Sequence, residues 1–178
     1  MHIIIDGYNL IRQSDSLRRY ERFSLEEGRK ALISFIAGYR KHKEHKVTIV
    51  FDGWEHGPAE EERDRRQGID IVYSRRGEKA DDLIKRCVEK IGEEIVVVTS
   101  DRDIADFVVR RGGTAISSGE FEELAMRLKT SLPVPSPYTD ERYDKDKDDD
   151  AMANMKKKGP SRRLSRKKKT AMERIRKL

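Results

Sequence analysis

Acidic residues follow three of the apolar segments in this sequence, and they are its first candidates for chemistry. Asp6 ends the apolar run that opens the chain, Asp52 directly follows a second run, and Asp101 lies just beyond a third. A continuous β-branched run is typical of a strand covered on both faces of a parallel sheet. Because ligands bind at the carboxyl ends of strands in open α/β sheets, we expect these acids to face a ligand.

A fourth acidic position comes from the pair Asp81 and Asp82, in the first turn of a predicted helix. Parallel strands lie about 5 Å apart, so carboxylates at their ends and at a helix N-terminus facing that edge converge on one small volume. Crowded negative charges need a cation, and Mg²⁺ or Mn²⁺ prefers oxygen ligands. The pattern therefore predicts metal-assisted phosphodiester hydrolysis, in which the ion activates water and stabilises charge on the attacking and leaving oxygens.

Hydrophobic periodicity predicts the elements that position these acids. Apolar runs indicate strands at residues 3–5, 47–51, 69–73, 95–98 and 114–116. Apolar spacings of three and four indicate helices at 25–43, from 80 to 91, from 104 and from 117 to 128. The order βαββαβαβα, with crossover helices, predicts an α/β fold whose mostly parallel sheet is covered on both faces. The polar connection at 54–67 has a composition compatible with a short helix.

Charge and polarity divide the chain into two parts. The sequence has 178 residues, of which 40% are charged and 35% hydrophobic, and this is too polar for one compact body. Three prolines between 133 and 137 indicate that the fold spans residues 1–132, and that 133–178 form a low-complexity charged tail, disordered when free. Residues 156–178 hold twelve basic side chains and one acid. This basic segment predicts either a polyanionic partner or a solubilising appendage, and 167–178 could become helical on a partner.

Several classes of protein are excluded or disfavoured. The single cysteine, Cys87, forbids an internal disulfide or a cysteine zinc cage, and its place on an apolar helix face indicates a buried thiol. The sequence shows neither a membrane-length apolar segment nor a signal peptide, so we expect a cytoplasmic protein with no membrane partner. No Gly-x-Gly-x-x-Gly motif follows the first strand, which excludes a dinucleotide-binding dehydrogenase. A phosphatase is disfavoured because Asp6 is not followed by a second aspartate two residues on.

Four motifs, IIIDGYNLI, VFDG, KADDLI and VVTSDRDIA, occur in this order between residues 3 and 105. In order and spacing they resemble PIN-like nucleases of the NYN branch, most of all the YacP-like family, over residues 1–128. The resemblance implies a PIN-like three-layer fold, a divalent metal and endoribonuclease activity, with mRNA cleavage linked to the ribosome. It assigns the metal to four acids, with a fifth as an additional candidate. These acids are Asp6, Asp52, Asp81 and Asp101, and the fifth is Asp103.

The resemblance also assigns supporting residues around the acids. It implies that Asn9 orients a ligand or a water on the metal, and that Ser100 supports the site. It does not account for the basic extension after Leu132. The residue types leave Asp82 as the alternative ligand to Asp81.

Other interpretations of the same residues stay open. Taken singly, Asp6-Gly7 and Asp52-Gly53 are typical of turns, and only the coincidence of four acidic positions favours a metal site. Asp103 is either a ligand or the N-cap of its helix.

The loop before Asp81 and Asp82 also allows two interpretations. Arg75, Arg76 and Lys79 either form a polar loop or bind substrate phosphates beside the acids. Trp54 either stacks on a base or packs in its own loop.

The sequence therefore predicts a metal-dependent endoribonuclease that acts on RNA and leaves 5′-phosphate and 3′-hydroxyl ends. The alternative is a non-catalytic module that binds RNA or the ribosome. The oligomeric state stays open.

Overall fold

A computed structural model describes residues 1–53, 59–130 and 166–178 of the protein. Within these residues six strands form one sheet. The strands are β1 (His2–Asp6), β2 (Lys46–Phe51), β3 (Glu62–Arg66), β4 (Ile69–Tyr73), β5 (Ile95–Val98) and β6 (Thr114–Ile116). Their order is β3-β4-β2-β1-β5-β6, and all neighbours are parallel except β3, which pairs antiparallel with β4. The predicted α/β fold with a mostly parallel sheet is therefore confirmed.

Helices cover both faces of this sheet. They are α1 (Gly7–Gln13), α2 (Asp15–Glu21), α3 (Leu25–Arg40), α4 (Ala80–Lys90), α5 (Arg102–Arg110), α6 (Ser118–Thr130) and α7 (Arg166–Lys177). The two faces of β1 show why both sides are covered. Ile3 and Ile5 belong to the larger core with α1, α2, α3 and α6, whereas Ile4 packs with α4 and α5. All three isoleucines are fully buried, as a central parallel strand requires.

All five predicted strands are present, but the first and second connections between them differ from the sequence analysis. The polar stretch after Asn9 forms the two short helices α1 and α2, each started by a side-chain N-cap, from Asp6 and Ser14 respectively. Residues 59–67 were compatible with a short helix, and this interpretation is wrong because Glu62–Arg66 is the edge strand β3. The predicted helix at 25–43 ends at Arg40.

Gly7 allows α1 to begin immediately after β1. A Cβ atom at this position would lie 2.4 Å from the Phe51 ring and 3.0 Å from the Val50 carbonyl oxygen. Any larger residue would therefore push α1 away from the end of β2, and with it the turn that carries Asp6.

The C-terminal helix α7 packs on the domain, although the sequence analysis placed this segment outside the fold. Leu178 is only 3% exposed, and Ile175 packs against the larger core. Tyr39 donates a hydrogen bond to the Leu178 carbonyl at 3.2 Å, and Arg174 bonds Glu94 at 2.8 Å. The segment 167–178 is thus helical on its own domain. The predicted boundary at 132 and the predicted disorder of 133–165 fall outside the described residues.

In the part of the chain that the structure describes, none of the helices has the length and apolar character needed to cross a membrane.

Candidate active site

A cleft of about 980 Å³ opens at the carboxyl edge of the central strands. Asp6 is the last residue of β1, Asp52 directly follows β2, Asp81 lies in the first turn of α4, and Asp101 precedes α5. All four side chains line this cleft. The structure therefore brings together the four acids that the sequence assigned to a metal.

Asp6 is the most buried of these acids, at 8% exposed. It is the N-cap of α1, and its Oδ1 accepts a hydrogen bond from the Asn9 backbone N–H at 3.2 Å. Its Oδ2 accepts one from the Thr99 hydroxyl at 3.3 Å. Burial raises the pKa of Asp6 to about 6, and the charges of Asp81 and Asp101 add to this, while the two hydrogen bonds oppose it. Asp6 is thus a carboxyl that the fold holds in an unfavourable, negatively charged environment.

Asp81 and Asp101 share that environment. Burial raises the pKa of Asp81, and the nearby charge of Asp101 raises it further. Asp101 is the N-cap of α5, and its Oδ1 accepts from the backbone N–H groups of Asp103 at 2.8 Å and Ile104 at 3.1 Å. Both capping bonds use the same oxygen. Thr99 links this acid to Asp6, because its hydroxyl accepts from the Asp101 N–H at 3.1 Å and donates to Asp6.

Asp82 and Asp103 are exposed and lie outside the residues that line the cleft. Their placement favours Asp81 over Asp82 as the acid that faces the site. The N-cap interpretation of Asp103 is wrong, since Asp101 caps α5 and Asp103 occupies its first turn.

The predicted phosphate-binding loop contributes one cleft residue. Lys79 lines the cleft, whereas Arg75 and Arg76 are exposed and lie outside its lining. Arg75 instead lies 3.6 Å from the Glu78 carboxylate. Trp54 falls outside the described residues.

Ser74 ties the loop of Asp52 to the loop before α4. The buried Ser74 hydroxyl accepts from the Gly53 N–H at 2.8 Å and donates to the Glu78 carbonyl at 2.7 Å. The Ser74 backbone N–H also bonds the Phe51 carbonyl at 3.0 Å. These bonds fix the chain on either side of Asp52 relative to the start of α4.

Asn9 is held by a second set of hydrogen bonds. Its Oδ1 accepts from the Ser100 backbone N–H at 3.0 Å and from the Ser118 hydroxyl at 2.8 Å. The Ser100 hydroxyl in turn accepts from the Ser118 N–H at 3.3 Å. Because the carbonyl oxygen of Asn9 is used twice, its amide NH₂ is the group that remains to donate into the cleft. Ser118 is fully buried, and the sequence analysis missed it.

The sequence analysis also missed the wall of the cleft made by aromatic and basic side chains. Tyr8, Arg12, Arg29, Arg66 and Tyr73 line this wall. Tyr8 is in α1, and Tyr73 ends β4. The spacing of Leu25 and Arg29, one helical turn apart in α3, was the available signal, since both line the cleft.

The donor chemistry of the acids fits a hard divalent cation. Within residues 1–53, 59–130 and 166–178, however, no group of three or more acidic, histidine or cysteine side chains is arranged to hold a metal ion. Mg²⁺ commonly takes only one or two carboxylates and completes its shell with waters and substrate phosphate. Asp6, Asp81 and Asp101 line the same cleft, which is compatible with a shell of this kind.

Comparison with known proteins identifies the class. Two crystal structures of Rae1 (YacP) from Bacillus subtilis, one of them a point mutant, resemble this chain with TM-scores of 0.61 and 0.60. They are 25% and 24% identical in sequence, and the match covers 73% of this chain and 76% and 77% of theirs. This chain therefore shares the α/β fold of the two Rae1 structures.

The YacP-like NYN domain matches residues 3–177, so this chain belongs to the YacP-like NYN family. The uncharacterized protein YacP of Bacillus subtilis (strain 168) is 28% identical over 102 residues, 56% of this chain. That match spans 59% of the length of the relative. The family match includes all of α7, in agreement with the packing of this helix on the domain.

Proposed function

We propose that this protein is a metal-dependent endoribonuclease that hydrolyses phosphodiester bonds in RNA. The observation that carries the proposal is the convergence of four carboxylates on one cleft, where the pKa of Asp6 is raised to about 6. Carboxyls that crowd each other in a partly buried site indicate a place for a cation or a proton. Membership of a nuclease family supports the same conclusion.

In this proposal the four acids hold the metal, and two neighbouring residues bind the substrate. Asp6, Asp81 and Asp101 hold one or two Mg²⁺ or Mn²⁺ ions, and Asp52 completes the set from the end of β2. When bound, the ion would supply Lewis-acid chemistry, lowering the pKa of water and stabilising charge on the phosphate. Asn9 donates its amide to substrate, and Lys79 attracts the phosphate. The expected products carry 5′-phosphate and 3′-hydroxyl ends.

We infer that the substrate is mRNA, with the ribosome as a further partner. The resemblance to YacP-like nucleases supports this, and the basic residues at 156–178 suit a polyanion. Cleavage of naked RNA and of ribosome-bound mRNA, compared in one assay, tests whether the ribosome is required.

The activity is tested with end-labelled, unstructured RNA in Mg²⁺, in Mn²⁺ and in EDTA. We expect cleavage only with the metals, and a loss of at least about 100-fold in Asp6→Asn and Asp101→Asn, since each removes a metal carboxylate. Asp106→Asn is the matched control, because it removes an exposed acid from the same helix as Asp101. Metal-independent cleavage, or full activity in Asp101→Asn, would exclude this mechanism.

A second readout does not depend on turnover. A metal that binds the native state raises the melting temperature by mass action. We expect Mn²⁺ to stabilise the wild type and Asp106→Asn, and to stabilise Asp6→Asn much less.

The alternative function is a non-catalytic module that binds RNA or the ribosome. The lack, among the described residues, of three acids arranged around one point favours this alternative. Purified protein that binds RNA but gives no cleavage with any divalent metal, on naked or ribosome-bound RNA, would establish it.

A further inference from the structure

Arg29 is a cation in the cleft that pairs with no carboxylate of the described residues. It extends from α3 and lines the cleft together with the acids. No acidic side chain in the described part of the chain forms an ion pair with it, whereas its neighbour Lys30 pairs with Glu26 at 2.9 Å and Glu27 at 3.0 Å. Arg29 therefore keeps its charge available to a ligand.

Three aromatic rings hold the guanidinium group of Arg29 in place. They form a row from α1 across the ends of β2 and β4, with Tyr8 edge-on to Phe51 at 5.2 Å and Phe51 stacked on Tyr73 at 5.6 Å. The Arg29 Cζ lies 5.8, 5.9 and 5.5 Å from the centroids of Tyr8, Phe51 and Tyr73 respectively. A cation over ring faces at this range is attracted by each ring. The side chain is thus fixed without an anionic partner.

The hydrogen bonds of Arg29 show which part of it can reach a ligand. Its Nε donates to the Tyr8 hydroxyl at 2.9 Å. The two Nη groups have no such bond to the described residues, and together they form the planar fork that matches two oxygens of a phosphate. An oriented fork with unused donors is what distinguishes a phosphate-binding arginine from one that only packs.

The sheet order places the Tyr73 end of this group away from Asp6 and Asp101, although Asp52 directly follows Phe51. Tyr73 ends β4 and Asp6 ends β1, with β2 between these two strands. Two strand spacings amount to about 10 Å. Asp101, at the end of β5, lies on the far side of β1. The contacts of Arg29 thus extend to the β4 side of the cleft, whereas Asp6 and Asp101 lie on its β1 and β5 side.

We propose that Arg29 binds a backbone phosphate of single-stranded RNA that flanks the phosphate to be cut, with Tyr8, Phe51 and Tyr73 as the platform that orients it. This inference rests on the proposed function for its substrate class. Arg29 contributes to binding and register, since its contacts extend to Tyr73, two strands away from Asp6. Removing it therefore raises KM and leaves kcat nearly unchanged.

Equilibrium binding of a short unstructured RNA to the full chain in EDTA tests the proposal without turnover. We expect Arg29→Gln to bind about tenfold more weakly, because a charged hydrogen bond is lost. We also expect the slope of log K against log salt to fall by about 0.7, the value for one phosphate contact on a single strand. Arg29→Lys keeps the charge but loses the fork, so it should retain the slope and recover only part of the affinity.

Lys30→Gln is the matched control, since it removes one positive charge from the next residue of the same helix, outside the cleft. Lys30→Gln should change the RNA affinity and the salt slope less than Arg29→Gln does. Equal effects of Arg29→Gln and Lys30→Gln on affinity and slope would overturn the proposal. Melting temperatures of the variants show whether the platform stays folded, and Arg29→Lys guards against a purely structural loss.

Uncharged methylphosphonate linkages, placed one at a time in the RNA, identify the phosphate. In the wild type, the substitution at one linkage should weaken RNA binding strongly. In Arg29→Gln, the same substitution should not weaken binding any further. Lack of coupling at every position contradicts the proposal. If the wild type never cleaves RNA but this coupling exists, the endoribonuclease proposal fails and the phosphate site stands. If RNA is cleaved but Arg29→Gln has unchanged KM and no coupling, only the phosphate site fails.

Discussion

The carboxyl of Asp6 is buried at the end of β1, and burial raises its pKa from 3.8 to about 6. Between these two values the native state binds more protons than the unfolded state. The free energy of unfolding therefore falls as pH rises from about 4 to about 6, and this contribution is constant above that range. The difference between the two pKa values of Asp6 lowers the free energy of unfolding by roughly 3 kcal/mol near neutral pH in the absence of metal.

We predict that Asp6→Asn is more stable than the wild type at pH 7 in EDTA, by about 2 to 3 kcal/mol. Asparagine keeps the N-cap of α1 but carries no charge to bury. Urea unfolding at intervals from pH 4 to pH 8 measures the effect. The two proteins should converge towards pH 4, and Asp106→Asn should follow the wild-type curve. An Asp6→Asn curve parallel to the wild type would contradict the raised pKa.

Ser118 provides a second prediction at the scale of single residues. Ser118→Ala removes one of the two hydrogen bonds that the Asn9 side-chain oxygen accepts. This bond contributes about 1 kcal/mol to holding the Asn9 side chain in its orientation. If Asn9 donates to substrate, we expect kcat to fall about fivefold with little change in KM. Steady-state cleavage assays measure both constants. Ser16→Ala, which removes an exposed hydroxyl bonded to Glu122, should leave kcat unchanged. A kcat equal to wild type in Ser118→Ala would show that Asn9 needs no such support.

The acids were predictable from sequence because each follows a recognisable element, namely a buried strand or the start of an amphipathic helix. The positions of Asp6, Asp52 and Asp101 follow from the carboxyl ends of parallel strands, and that of Asp81 follows from the start of α4. The aromatic wall and the buried Ser118 were not predictable in this way. Their contacts join residues as far as 109 positions apart, and no local period records such pairs.

At the scale of elements, β3 shows where periodicity is uninformative. Its sequence, ERDRR, has no apolar residue, because it is an edge strand with most of its residues exposed. Side chains still alternate at four of its positions, since Glu62 and Arg66 line the cleft of the acids while Arg63 and Arg65 line a second groove. Asp64 borders both. Without an apolar face, the charged run resembled a solvated helix.

The turn that joins β3 to β4 allows a prediction about this hairpin. Its two residues, Gln67 and Gly68, have positive φ values of 52° and 77°. Two-residue turns of this kind favour asparagine at the first position, since glutamine is strained there. We predict that Gln67→Asn raises the free energy of unfolding by about 0.5 kcal/mol, measured by urea unfolding.

Gly68→Ala is the opposite test of the same turn. A Cβ atom at Gly68 would lie 2.1 Å from Arg40 Nη1, whose bond to the Gln67 carbonyl holds the turn on α3. The backbone strain and the displaced arginine should destabilise the protein by at least about 1 kcal/mol. Equal stabilities for Gln67→Asn, Gly68→Ala and the wild type would show that the hairpin is not held in this turn.

At the scale of the whole molecule, α7 and the acids lie at opposite edges of the sheet. Arg174 bonds Glu94, which precedes β5, and the Gly112 carbonyl before β6. These are amino ends of strands, whereas the acids are at carboxyl ends. The Lys177 carbonyl accepts from Lys43 at 2.9 Å, between α3 and β2. The C-terminal helix therefore closes the edge of the domain opposite the cleft.

The packing of α7 on the domain was not predictable from the sequence, because most residues of this helix are basic. Of residues 166–178, Ile175 and Leu178 supply the apolar contacts with the core, and this is too few for a helical period to stand out. From composition, the segment is predicted to bind a polyanion or to be solvated, and this stays a prediction. Composition cannot show that its final residues are anchored by one leucine and one arginine.

We predict that Leu178→Ala lowers the free energy of unfolding by about 2 kcal/mol, the lower end of the range for a buried leucine. The neighbouring variant Lys177→Ala, which truncates an exposed side chain, should change it by less than about 0.5 kcal/mol. Thermal and urea unfolding without RNA measure both. Equal stability of the two variants would show that α7 does not anchor on the domain.

The same packing decides how RNA binding by the basic segment should be tested. Deleting residues 156–178 removes twelve basic side chains and also uncovers the core around Tyr39, so weaker RNA binding could follow from either change. Replacing Lys156, Lys157 and Lys158 by glutamine removes three charges and leaves α7 intact. If the segment binds RNA, affinity should fall with a reduced salt slope while the melting temperature stays at the wild-type value. An unchanged affinity would assign the basic residues to solubility and leave the cleft as the RNA-binding surface.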